Sequence, residues 1–136
     1  MTKPRRLKSD TIKGATQAHH NAAQAPLEPP AYVTLSESCK PFWNAIVTSR
    51  ARDTWTDSDL VLASNLAKTM HALETATVGD ETHAKLTRLS LALTRSLSVH
   101  TTATVGRAAD IVGASTIERQ ARLDDGDDLI PRLRAV

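Results

Sequence analysis

Apolar side chains recur at helical spacing through the middle of this chain, and no stretch of useful length shows the two-residue alternation of a strand. Phe42, Trp43, Ile46 and Val47 form one stripe, which predicts a first helix over 37–50. Ser36 or Ser38 can cap it. Pro41 is tolerable there because it falls in the first turn, where its missing N–H has no intrahelical acceptor to lose. After a break at Arg52-Asp53-Thr54-Trp55, Thr56 and Asp59 have the spacing of a capping box, with Asp in place of the usual Glu. A second helix is therefore expected over 57–77, with Leu60, Ala63, Leu66, Ala67, Met70 and Leu73 or Glu74 along its inner face. Gly79, in the Val78-Gly79-Asp80 connection, can take the positive φ that ends it.

The longest predicted helix runs over 82–112. Leu86, Leu89, Leu93 and Leu97 follow steps of three and four, while Leu91, Val99 and Val105 lie on a second apolar face. Roughly 30 residues at about 1.5 Å each make a rod near 45 Å. Such a rod cannot bury two apolar faces against one shorter helix, so self-association is expected. Gly113 marks its expected end, and 116–123 can form a short helix beyond it. The resulting picture is all-α: a helical hairpin core with a preceding short helix and flexible termini. It divides into a disordered basic arm (1–30), a helical core (31–113) and a flexible tail (114–136). The arm is read as disordered because it holds few large apolar side chains to offset the entropy of ordering, and Pro29-Pro30 stiffens its exit.

Composition sharpens the picture. Aromatic residues are only 3% of the 136, so the core must be built from Leu, Val, Ala and Met, which suits helix-on-helix packing. The formal net charge of +2 is too small to announce a nucleic-acid binder, but its distribution is uneven. Lys3, Arg5, Arg6, Lys8 and Lys13 face a single acid, Asp10, at the start, whereas Asp124, Asp125, Asp127 and Asp128 crowd the end. Cys39 is the only cysteine, so an intrachain disulfide is excluded. The start has no signal-peptide pattern and no stretch approaches the roughly 20 apolar residues of a membrane span, so a soluble intracellular protein is expected.

Catalytic signatures are not found. The glycines are scattered and none precedes a Lys-Ser or Lys-Thr pair, which argues against nucleotide hydrolysis. His19 and His20 are adjacent on the arm, and His71, His83 and His100 are widely spaced, so no metal site is expected. The paired acids Asp57/Asp59 and Asp80/Glu81 sit at helix starts, where negative charge suits the dipole. No cofactor and no enzymatic activity are expected.

Pro30-Ala31-Tyr32-Val33-Thr34-Leu35, Phe42-Trp43-Asn44-Ala45-Ile46-Val47 and Thr54-Trp55-Thr56-Asp57-Ser58-Asp59-Leu60 together resemble the small terminase subunits of tailed phages, in particular the Pseudomonas podovirus type. The similarity continues through His83-Ala84-Lys85-Leu86-Thr87-Arg88-Leu89 and Leu93-Thr94-Arg95-Ser96-Leu97 to Val105-Gly106-Arg107-Ala108, the middle two-thirds of the chain. The Val78-Gly79-Asp80 connection is shorter than the loop usual in that group. The resemblance implies a homo-oligomeric ring, of about nine copies, that binds double-stranded viral DNA at the packaging-initiation site in the host cytoplasm. It also implies recruitment and regulation of the large terminase subunit, to which the ATPase and nuclease belong.

Roles follow by position. DNA contact is expected from Lys3, Arg5, Arg6, Lys8 and Lys13, with Arg50 and Arg52 as further candidates. A helix-turn-helix through Arg52-Asp53-Thr54-Trp55 is less favoured, since Asp57 and Asp59 would repel phosphate at the recognition end. Assembly is assigned to Leu86, Leu89, Leu93 and Leu97 with Leu66 and Met70. The large-subunit contact is assigned to Leu129, Ile130, Arg132, Leu133 and Arg134. Trp43 and Trp55 are expected to lock the first helix onto the hairpin. The competing readings are a small dimeric helical transcription regulator and a structural assembly protein without a DNA role.

Overall fold

The computed structural model describes residues 8, 10–99 and 107–124, and every regular element among them is helical. Five α-helices follow in chain order: α1 (Ile12–Ala22), α2 (Lys40–Thr48), α3 (Asp57–Thr75), α4 (Glu81–Ser96) and α5 (Arg107–Asp124). Single 3-10 turns, Glu37–Cys39 and Arg52–Thr54, lead into α2 and α3. None of these helices is long and apolar enough to cross a membrane.

Local chemistry sets most of these boundaries. The Thr56 hydroxyl accepts the Asp59 N–H at 3.2 Å and the Asp59 carboxylate accepts the Thr56 N–H at 3.3 Å, which completes the expected capping box of α3. Gly79 has φ +95° in the tight turn between α3 and α4. A Cβ there would meet nothing within 4 Å, so backbone conformation rather than space calls for glycine. Pro41 sits in the first turn of α2, as its chemistry requires.

The core lies where α2, α3 and the end of α4 converge. Trp43, Ile46 and Val47 from α2 meet Ala63, Leu66 and Ala67 from α3, and Leu97 closes the cluster. Ala63 and Ala67 are fully buried, so their small side chains admit α2 close to α3. The Trp43 indole N–H donates to the Leu27 carbonyl at 2.8 Å, tying the proline-rich lead-in across α2. The Trp55 indole N–H lies within reach of the Val47 and Arg50 carbonyls, at 3.2 and 3.3 Å. Both tryptophans thus fasten α2 to its neighbours.

Three sequence expectations need correction. Residues 1–30 do not form one structureless arm, because α1 occupies 12–22. Thr11 caps it by accepting the Gly14 N–H at 3.1 Å, and its packing against α5 uses Ala18, Asn21 and Ala121, all buried. The inward side of α1 is made of alanine and asparagine rather than large apolar side chains, so its amphipathic pattern does not stand out in the sequence. Second, the expected rod over 82–112 is two helices. α4 stops at Ser96, Ser98 takes φ +53°, and the Leu97 carbonyl is occupied by the Arg50 side chain at 2.8 Å. Third, α5 runs through Gly113 and ends at Asp124, inside the expected flexible tail. It is held by the Ser115 hydroxyl donating to the Ser49 carbonyl at 2.6 Å and by the Arg52 N–H donating to Glu118 at 2.9 Å. These contacts join residues 66 positions apart, and they outweigh the weak helix propensity of one glycine.

Candidate nucleic-acid interface and assembly surfaces

The root of the basic arm is structured. The Lys8 carbonyl accepts the Thr11 hydroxyl at 2.8 Å and the Thr11 N–H at 3.4 Å. A Cβ at residue 14 would lie 2.4 Å from that same carbonyl, so Gly14 permits the chain to fold back over α1. Lys8 and Lys13 are both exposed, on either side of this turn. His19 and His20 in the last turn of α1 are exposed as well, and α1 contains no acid. Lys3, Arg5 and Arg6 lie outside the described residues.

Arg50 is removed from the DNA-contact set. It is 6% exposed, and its guanidinium lies over the Trp55 ring, 4.4 Å from the centroid. Its Nε donates to the Thr54 hydroxyl at 2.9 Å, Nη1 to the Leu97 carbonyl at 2.8 Å, and Nη2 to Asp59 at 2.7 Å and to the Thr54 carbonyl. Each guanidinium nitrogen already donates inside the protein, so the group is committed to the fold. Burial by itself would raise the Asp59 pKa, but hydrogen bonds from Arg50 and Thr56, together with the Arg50 charge, outweigh it and hold the carboxyl below its ordinary 3.8. The carboxylate of Asp59 at the amino end of α3 therefore belongs to an internal ion pair, with Asp57 exposed beside it. Arg52 is half-buried, and its guanidinium donates to the Ala25 carbonyl.

The assembly set divides. Leu66 and Leu97 are buried in the chain's own core and cannot also face a second copy. Leu86 and Leu93 are half-buried, and Leu93 packs against the core cluster. Leu89 is 48% exposed and Met70 38%, so these two remain at the surface. Leu91, which the periodicity placed on a second face, is 47% exposed and joins them. None of the 16 residues of α4 is buried, although the helix packs along α3. Arg88 and Arg95 stand exposed on the same helix. The proposed large-subunit residues, Leu129, Ile130, Arg132, Leu133 and Arg134, lie outside the described residues.

Sequence reading missed one polar cluster altogether. Glu118 is 5% exposed and accepts the Arg52 N–H and, at 2.9 Å, the Arg122 guanidinium; Asn21, equally buried, accepts from Gln17 at 2.9 Å. The only available signal was the Glu-x-x-x-Arg spacing, which any solvated helix can carry. Among the described residues, no group of three or more His, Cys, Asp or Glu could hold a metal.

A relative from Enterobacteria phage HK97, "Terminase, small subunit", is 30% identical over 152 aligned residues, spanning 93% of this chain and 94% of the relative. The aligned length exceeds the 136 residues present, so the relative has residues this chain lacks. The model of the Hendrixvirinae small terminase family matches residues 1–83 and 78–136, two stretches that overlap across the short α3–α4 turn. Matched along its whole length, the chain belongs to the Hendrixvirinae small terminase family.

Proposed function

We propose that this protein marks viral DNA for packaging: identical copies form a ring that binds double-stranded DNA at the packaging-initiation site, then recruits and regulates the large terminase subunit. ATP hydrolysis and DNA cleavage reside in that partner, and this chain acts in the host cytoplasm without a cofactor of its own. The supporting observation is α4, a helix bearing four leucines of which Leu89 and Leu91 stay about half exposed and none is fully buried. Fully burying a leucine or methionine side chain contributes roughly 1.5–3 kcal/mol, so covering the half-exposed Leu89, Leu91 and Met70 against a second copy contributes a few kcal/mol per contact. A homo-oligomer built head to tail repeats that contact until the ring closes.

Light scattering on the purified chain tests the assembly. A closed species of about nine copies supports the ring, whereas a dimer supports the small transcription regulator and a monomer removes the assembly face. Leu89→Glu should dissociate the oligomer while leaving the helical circular dichroism unchanged, because Leu89 lies outside the core. An intact ring in that variant would place the interface elsewhere.

Phosphate contact falls to Lys8 and Lys13 with Lys3, Arg5 and Arg6 before them in the chain, and Arg52 is a flanking candidate. Several arms on one ring multiply individually weak contacts through effective concentration. Removing residues 1–7 is expected to weaken binding of a duplex at least about tenfold at low salt and to flatten the salt dependence, with the oligomer unchanged. Equal affinity would show that Lys3, Arg5 and Arg6 do not contact DNA. The contact with the large subunit is assigned to Leu129, Ile130, Arg132, Leu133 and Arg134, an apolar and basic segment beyond an acidic turn, of the kind that orders on binding.

A further inference from the structure

The arm and the carboxyl-terminal segment leave the fold from one helix pair. Lys8 is pinned to the start of α1, residue 125 follows directly on α5, and α1 packs on α5. Part-buried polar contacts hold the two helices together and fasten α5 to the α2–α3 connection. Glu118 accepts the Arg52 main-chain N–H and the Arg122 guanidinium, Arg122 reaches the Asn21 carbonyl at 3.4 Å, and Ser115 donates to Ser49. α5 is thus the mount on which the arm's root sits.

We propose that α1 and α5 act as a clasp linking the two ends of the chain, with Glu118 and Arg122 as its positioning residues, so that DNA held by the arm changes the stability of α5. This rests on the arm reading above. Holding the arm's root opposes the opening of α1, and α1 cannot open freely without exposing the buried faces of Ala18, Asn21 and Ala121. Linkage makes the effect reciprocal: a partner that stabilises α5 through the carboxyl-terminal segment must raise DNA affinity by the same factor.

Amide hydrogen exchange on the full chain, with and without a 30-base-pair duplex at low salt, tests the idea. DNA is expected to slow exchange about threefold or more in 12–22 and also in 107–124. In Arg122→Ala the slowing should persist in α1 and vanish in α5. Arg122 is the more exposed of the pair, and Glu118→Gln provides a second, milder variant that keeps the shape of the site. Bound duplex with α5 exchange unchanged in the unmodified chain would overturn the clasp and leave the arm reading intact. Unchanged duplex affinity after removal of residues 1–7 would overturn both.

Discussion

Trp43→Ala is expected to lower folding stability by about 4 kcal/mol, in the middle of the range for removing a large aromatic from a packed core. For a chain of this length that corresponds to a melting temperature lower by roughly 10–15 °C. Trp43 is 2% exposed and is the largest side chain in the core cluster, touching residues from α2 and α3 and the lead-in segment. Ala63 and Ala67 beside it are too small to swell into the space, so the cavity stays open. The indole N–H adds a second contribution, because it is the donor to the Leu27 carbonyl. Trp43→Phe separates the two: it keeps most of the apolar burial and leaves that carbonyl without its donor, for a loss of about 1–2 kcal/mol. Urea unfolding followed by circular dichroism measures both variants. A loss below about 1 kcal/mol for the alanine variant would mean that α2 packs less tightly than described.

The second large effect concerns Arg50. Its side chain ties together the α2–α3 turn, the start of α3 and the end of α4, and Arg50→Ala leaves the Leu97 carbonyl and the Asp59 carboxylate short of a donor. Breaking one partner of a buried pair costs about 3–5 kcal/mol, and Asp59 is 23% exposed, so about 3 kcal/mol is expected. Arg50→Lys keeps the charge but cannot donate in three directions from one plane, and should recover less than half of the loss.

The pair also gives the fold a pH dependence whose sign is determined. The Asp59 carboxyl has a folded pKa below its ordinary 3.8. Its contribution is fully present above that ordinary value and is lost as pH falls through the lower folded one. Asp59→Asn should therefore be less stable than the unmodified chain at neutral pH, with the gap closing below about pH 3.8. A gap that stayed constant down to pH 2 would show that the asparagine loses capping geometry rather than charge.

The sequence by itself determined the elements whose causes are local. Thr56 and Asp59 specify a capping box within four residues, Gly79 specifies a left-handed turn, and the Phe42-Trp43-Ile46-Val47 stripe specifies which side of α2 turns inward. That the chain is a small terminase subunit was legible too, from spaced apolar and aromatic positions along its middle, although the resemblance pointed to the Pseudomonas podovirus type rather than to the Hendrixvirinae family. The exposed leucines of α4 were foreseeable as an excess of apolar surface, though not which of them the chain would keep for itself.

Only the tertiary structure decided the rest. A basic residue at the end of a helix reads the same in sequence whether it meets phosphate or an internal carboxylate. Arg50 became structural because Asp59, Trp55 and the Leu97 carbonyl converge on it, the last from 47 positions away. That same contact takes up the carbonyl at which α4 ends, so the periodicity over 82–112 did not produce one rod. α1 escaped notice because its inward side is formed by alanine and a satisfied asparagine, side chains too small or too polar to mark a buried face by themselves. Short-range rules set the helices; long-range polar contacts set where they stop and what their charged residues are free to do.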